Sequence, residues 1–450
     1  MKLKFFGGAK MVTGANYLLE SSGEKIVIDC GLHQGSNYCE RHNFNPFGYD
    51  PKEIKAVFVT HAHIDHTGRL PKLYKDGFRG VIYSTPPTKD FARELLLDSE
   101  DILRREAERE KREPLYTAED VDNMMKLWES VDYKESVQVG PFQVKPLNSG
   151  HVLGSASFVI EAEGKTIIFS GDLGNSNPPL IKEWEPITTP VDYCLIESAY
   201  GDRIHEDVDK RKELLEDVIE ETIKAGGVLI VPAFALERIQ GLLYQLNELI
   251  ENGRIPKLPV YVDSPLAIKL TAVYKWHERY FNDEAWKLVS NDKSLFSFPG
   301  LKLSFAKEES MNIKKVPPPK IIIAGSGMSQ GGRILFHEKE YLPDPKSTIL
   351  FVGYQSAGSL GRRILDGAKT VRILGEEVPV NARVVHISGY SAHADQERLL
   401  KWLEPMRGTL KKAFVVQGDP DVSEKFASLV QDKFAVEAVV PSEGEEVVLE

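Results

Sequence analysis

Cysteine is scarce: the chain has three, Cys30, Cys39 and Cys194, and no Cys-x-x-Cys pair. That excludes a disulfide framework and a cysteine-built zinc site, and it suits a reducing compartment. No apolar run approaches the roughly 20 residues that a membrane-spanning helix needs. The opening Met1-Lys2-Leu3-Lys4-Phe5-Phe6-Gly7-Gly8 also lacks the long apolar centre of a secretion signal. A cytoplasmic location without membrane contact is the expectation. Basic charge is short as well, with 56 lysines and arginines against 67 acids and a formal net charge of −11. This balance excludes loose, sequence-blind coating of nucleic acid, while leaving room for a local positive cleft to which metal ions would add charge. What remains is an ordinary globular composition, 42% hydrophobic and 27% charged, over 450 residues. That length exceeds one simple core, so two or more domains are expected.

Against these absences stands one dense stretch, Thr60-His61-Ala62-His63-Ile64-Asp65-His66-Thr67-Gly68, after the apolar run Ala56-Val57-Phe58-Val59. The run reads as a buried strand. A polar surface loop is the bland alternative, but three histidines and a carboxylate bunched at a strand end are the ligands that zinc prefers. His61 and His63 point the same way in extended backbone, whereas Asp65 and His66 lie where the chain turns and could serve a second ion. Other acids and histidines also sit at strand ends. Asp29 closes a hairpin built from Tyr17–Glu20 and Lys25–Ile28, either capping a turn or orienting metal-bound histidines. His151 lies in the loop Asn148–Ser155 and Asp172 in Gly171-Asp172-Leu173-Gly174, both beside glycine, as a two-metal site would still require. Glu197 follows the strand Tyr193–Ile196. The charged helix expected from Thr88 to Arg112, with Arg104–Glu108 and Arg109–Glu113 at helical spacing, reads as a solvated face rather than an RNA-binding patch.

From about Asp209 the pattern becomes repeated strand–loop–helix units, which build a parallel sheet with its loops gathered at the strand C-termini. These loops are Pro232–Arg238, Asp263-Ser264-Pro265, Ala324–Arg333 and Gly353–Arg363. Their glycines expose N–H groups to an anion, so a phosphate-lined cleft competes here with plain turn chemistry. A strand at Arg383–Ile387 then precedes His393 in the loop Ser388–Asp395, and the strand Ala413–Val416 precedes Gln417-Gly418-Asp419. His386, among apolar residues, reads as a core histidine; His33, His42, His205, His277 and His337 are unassigned.

Asp29, the His61–His66 cluster, His151 and Asp172 together resemble the signature of the metallo-β-lactamase superfamily. Glu197 (motif A), His393 in Ser-Ala-His (motif B) and the loops PAFALER, VDSP, GSGM and GYQSAGSLGRR resemble its beta-CASP branch, nucleases that process nucleic acids. The likeness spans essentially the whole chain and is closest to compact prokaryotic RNA-processing members, relatives of the pre-mRNA 3′-end endonuclease. It implies an α/β fold, a metallo-β-lactamase αββα sandwich with an inserted parallel-sheet α/β beta-CASP domain. The expected boundaries are 1–203 and 380–450 for the sandwich and 204–379 for the insert. It further implies that His61, His63 and His151 hold one zinc ion, Asp65 and His66 a second, and that Asp172 bridges them. A hydroxide activated by the two metals would then attack single-stranded RNA, with His393 as the acid, kept charged by Glu197. Arg238, Ser326, Arg362 and Arg363 are the expected contacts to substrate.

One position departs. The family usually has a motif C histidine where this chain has Gln417, whose neutral amide is a poor zinc ligand. The second site is therefore expected to be weaker or filled by Mn²⁺, and homodimerisation is left open. The competing readings are a DNA-acting beta-CASP nuclease, a small-molecule hydrolase of the superfamily and a non-catalytic scaffold subunit.

Overall fold

The computed structural model describes residues 1–35, 41–205, 208–291, 293–356 and 358–450. Cys39, and Ala357 in the Gly353–Arg363 loop, lie outside the described residues; Cys30 and Cys194 are both buried free thiols. Among the described residues no helix is long and apolar enough to cross a membrane. These residues divide into two units, one of Met1–Ser176, Glu183–Ile204 and His393–Glu450, the other of Asn177–Lys182 and His205–Ala392.

In the first unit, alternation along the strands creates two one-sided sheets. Along Lys2–Gly7, Leu3 and Phe5 are fully buried while Lys2 is exposed and Lys4 half-buried, the period-2 pattern of a strand with one wet face. The first sheet runs Glu446–Val448, Lys2–Gly7, Asn16–Ser21, Glu24–Ile28, Ile54–Phe58, Val81–Ser84, Trp128–Ser130. The second runs Glu437–Val439, Lys412–Val416, Tyr193–Glu197, Lys165–Phe169, Ala156–Ala162, Phe142–Asn148, Val137–Val139. Their inner faces share one core in which Leu3, Phe5 and Phe58 meet Phe158, Phe169 and Phe414. Phe5–Phe414 and Phe58–Phe158 pack with ring centroids 5.5 Å apart, aromatic pairs that tie sheet to sheet. The other face of the second sheet, with Ile168, Ile196 and Val415, is covered by the helices Gln396–Leu403 and Pro420–Phe434 through Leu399, Trp402, Phe426 and Val430. The helix Pro86–Glu110 packs on the first sheet at Trp128–Ser130. Helix, sheet, sheet and helix are thus layered as the resemblance implied.

Two expectations need correction. The charged helix ends at Glu110, because Lys111 adopts the left-handed region at φ 54°. Arg104 and Glu108 do pair at 2.9 Å. Arg109 and Glu113, however, fall on either side of the helix end, and Arg109 Nε donates to the Arg105 carbonyl instead, at 3.3 Å. His386 is not a core residue: it ends the edge strand Arg383–His386 of the second unit and is half-buried.

The second unit holds a six-stranded sheet in the order Leu301–Leu303, Val260–Val262, Lys320–Ala324, Val228–Pro232, Thr348–Phe351, Arg383–His386. Every pairing in it is parallel. Its central strands are buried at every position, as parallel strands covered on both faces must be. Asp263, fully buried after Val260–Val262, accepts from Arg333 at 2.7 Å, His337 at 2.7 Å and Ser310 at 2.6 Å, which pins the start of the Asp263-Ser264-Pro265 turn.

Candidate metal centre

The histidine stretch leaves the strand Ile54–Phe58 and folds into one helical turn, Ile64–Thr67, capped at its start by His63. Three backbone bonds of 2.8–2.9 Å seat this turn: Ala15 N–H to the Asp65 carbonyl, Cys30 N–H to that of His66, and Leu32 N–H to that of Ile64. Gly31 makes the seat possible, since a Cβ there would lie 1.6 Å from the Asp65 carbonyl oxygen. Gly174 does the same for the loops carrying His151 and Asp172. Its N–H donates to Ser149 at 2.9 Å, and a Cβ on it would meet the Gly150 oxygen at 1.8 Å.

The result is a convergence of possible ligand atoms. His61 Nε2 lies 3.0 Å from His63 Nδ1, which lies 3.3 Å from His151 Nε2. Asp172 Oδ2 is 3.5 Å from both His61 Nε2 and His151 Nε2. Bonds of about 2.0–2.1 Å in a tetrahedron put donor atoms about 3.3 Å apart, so these four residues fit a zinc-sized cation. Burial, with His66 close by, holds the His61 pKa well below its usual value, which keeps the ring neutral as a ligand must be. Burial works against ionising Asp172, but His66, His61 and His393 outweigh it and hold its carboxyl well below the usual range.

The other Asp172 oxygen faces a second group. Oδ1 is 3.4 Å from His66 Nε2, and Asp65 Oδ2 is 3.9 Å from that same nitrogen. Asp29, fully buried, accepts from His66 Nδ1 at 2.8 Å and from Thr60 N and Oγ1 at 2.8 Å each, which fixes the His66 ring. Gln417 enters here. Its Nε2 lies 2.8 Å from His66 Nε2 and 2.9 Å from Asp172 Oδ1, and its Oε1 accepts from Tyr17 Oη at 3.4 Å. Two demands meet on His66. Burial notwithstanding, Asp172, Asp29 and Asp65 favour a proton on it, whereas the Gln417 amide needs a bare Nε2. Nδ1 faces the Asp29 carboxylate and Nε2 the amide, so the ring is held from both sides.

Beside the cluster, His393 Nδ1 lies 3.3 Å from Glu197 Oε1 and 3.8 Å from Asp172 Oδ2. Glu197 is fully buried and held by the N–H groups of Leu173 at 2.7 Å and Ala199 at 3.3 Å. Burial opposes a charge on His393, but Glu197 and then Asp172 outweigh it and raise the pKa to about 9. Its side chain keeps 28% of its surface exposed, so a proton on it can reach a ligand.

The structure therefore brings His61, His63, His151, Asp172, Asp65, His66, Asp29, Gln417, Glu197 and His393 into one neighbourhood of the first unit. Arg238, Ser326, Arg362 and Arg363 belong to the second unit. There Arg238 is half-buried at a helix start, Ser326 Oγ accepts from Gln330 N–H at 3.0 Å, Arg362 pairs with Asp366 at 2.8 Å, and Arg363 is exposed. Two residues escape a reading of the sequence. Thr60 Oγ1 stands between Asp29, His61 and His66, and its place directly before the cluster was the available signal. Tyr17 reads only as part of a hairpin strand; nothing local announces a contact with a residue 400 positions away.

Comparison with known proteins shows the family. Residues 12–220 match the metallo-beta-lactamase superfamily, 239–364 the Beta-Casp domain and 377–441 the Zn-dependent metallo-hydrolase RNA specificity domain. A ribonuclease of Thermus thermophilus is 39% identical over 405 residues, 90% of this chain and 91% of its own. An RNase J-like protein of Methanocaldococcus jannaschii is 31% identical over 447 residues, 98% of each chain. Transcription termination factor FttA of Methanosarcina mazei is 32% identical over 453 residues, 97% of this chain and 70% of its own. The crystal structure of a protein of unknown function from Enterococcus faecalis shares the fold, with a TM-score of 0.57 at 14% identity over 100% of this chain and 99% of that one. A histidine–aspartate centre on an αββα sandwich, carried by a chain with these relatives, belongs to the beta-CASP branch of the metallo-β-lactamase superfamily, a family of metal-dependent hydrolases.

Proposed function

We propose that this chain is a ribonuclease that hydrolyses phosphodiester bonds of single-stranded RNA. The observation that carries the reading is the convergence of His61, His63, His151 and Asp172 with the Glu197–His393 pair set directly beside them. The match to an RNA specificity domain, and relatives named as ribonucleases, support RNA as the substrate class.

The four convergent residues would hold a divalent cation, zinc by the nature of the donors. Bound there, such an ion supplies Lewis acidity, lowering the pKa of water and neutralising charge on a phosphate. The protein does the rest. Neutral imidazoles leave their lone pairs free, and Asp172 keeps one oxygen for this group and turns the other to His66. Glu197 holds the Nδ1 proton of His393, which leaves Nε2–H to protonate the departing 3′-oxygen of RNA. A pKa of about 9 keeps that proton in place at neutral pH. The two zinc ions expected from the family fit unequally: Asp65, His66 and Asp172 Oδ1 face a second position, but Gln417 already engages two of the three.

A second reading has an observation of its own. Asp172, Glu197 and His393 also bring donor atoms within 4.8 Å, so His393 would be a ligand rather than an acid. Zinc content of His393→Ala separates the two. The function itself is tested by incubating metal-loaded protein with end-labelled RNA and DNA of one sequence. Cleavage of the RNA alone is expected; preference for DNA selects the DNA-acting alternative, and cleavage of neither removes the nuclease reading.

A further inference from the structure

We propose that the side-chain amide of Gln417 is a resident substitute for the second cation, its NH₂ group bridging His66 and Asp172 where the ion would otherwise join them. The inference rests on the reading of this cluster as a metal centre, and deepens it.

The amide NH₂ has two hydrogens and faces two acceptors. His66 Nε2 is at 2.8 Å and Asp172 Oδ1 at 2.9 Å, while these two atoms are 3.4 Å from each other. The contact with Asp172 fixes the donor: a carboxylate oxygen only accepts, so the group 2.9 Å from it carries hydrogen, and that same NH₂ stands 2.8 Å from His66 Nε2. The amide's orientation follows from its partners. Turned over, Oε1 would stand against Asp172 Oδ1, acceptor on acceptor, whereas as placed it accepts from the hydroxyl of Tyr17, which is 2% exposed. Its origin is equally fixed, because Gln417 sits at φ 51° with its N–H donating to the Gly8 carbonyl at 2.7 Å. At 3% exposure, water cannot readily take over any of these bonds.

An amide nitrogen has no lone pair to give a metal, so a second ion enters only if the amide turns over or withdraws. That costs contacts to a carboxylate and an imidazole. Loss of one hydrogen bond to a charged group weakens the second site by roughly ten- to a hundredfold. The first group carries no such handicap, since His61, His63, His151 and Asp172 each offer a ligand atom and no amide stands among them.

Removing the amide gives opposite signs for a substitute and for a ligand. Equilibrium dialysis against zinc, with metal per chain read by mass spectrometry, is expected to show one tight and one weak ion in the unmodified protein. In Gln417→Ala the second ion should bind at least about tenfold more tightly. A second ion that binds more weakly in Gln417→Ala, or two equally tight ions in the unmodified protein, overturns the proposal while leaving the metal centre standing. No tight zinc in the unmodified protein sinks the metal-centre reading itself. Should melting in zinc-free buffer show that Gln417→Ala does not fold, Tyr17→Phe serves instead. It removes the donor that holds Oε1, so a narrower gap between the two affinities supports the substitute and an unchanged or wider gap overturns it.

Discussion

At His393 a charge and a partial exposure coincide, and each has a measurable consequence. With its pKa raised to about 9, the acid form persists through neutral pH, so kcat should be flat there and fall as pH rises past about 9. Glu197→Gln removes the carboxylate that does most to raise it, and the fall should move to lower pH in a rate profile. The same proton stabilises the fold. A raised folded pKa means that this contribution is complete below about 6.5, the free imidazole value, and is lost as pH climbs through the folded one. His393→Ala should keep its zinc yet lose about two to four orders of magnitude in turnover, and a substrate with a good leaving group should recover much of that loss. At the other end of the site, His63→Ala or Asp65→Ala should abolish cleavage at saturating metal; wild-type rates in either would remove that residue from the centre. The residues behind these expectations were legible because their chemistry is local. Six consecutive positions carry three histidines and an acid, and Ser391-Ala392-His393 stands in a polar loop. Tyr17 and Thr60 were not, since each acts by touching another side chain, and only folding supplies the neighbour.

Among the elements, the turn Ile64–Thr67 depends on Gly31 more than on any ligand. A methyl group 1.6 Å from the Asp65 carbonyl must push backbone aside, so Gly31→Ala is expected to lower stability by about 1–3 kcal/mol, the usual cost of overpacking. It should also release zinc, because Asp65 and His66 ride on the displaced turn. Thermal melting with and without metal checks both, and an unshifted midpoint with full zinc would remove Gly31 from this role. Strands and helices were mostly readable from their periods, the buried parallel strands such as Val228–Pro232 from unbroken apolar runs. Helix ends were not. Lys111 has no sequence feature that demands a left-handed φ, and so Arg109 and Glu113 were placed on a helix that had already stopped.

For the whole molecule, a net charge of −11 means that RNA must be held by local cations against a repelling background. Neutralising Arg238, Arg362 or Arg363 should raise KM and flatten the salt dependence of RNA binding, with each lost phosphate contact reducing the slope by roughly one. Slopes unchanged in all three variants would remove them from the substrate path. Strand partnership across the chain was the part least available to reading, since a run such as Glu446–Val448 carries no mark that it will pair with Lys2–Gly7. That pairing, and the seat of Lys412–Val416 beside Tyr193–Glu197, order events on the ribosome. The residues of the proposed metal site are translated by Asp172, while His393, Gln417 and Glu446–Val448 follow only after the segment His205–Ala392 of the second unit. On the proposed roles, a nascent chain would present its metal ligands while its own messenger is still threaded beside it, and would gain its proton donor only after the whole segment His205–Ala392 has been made.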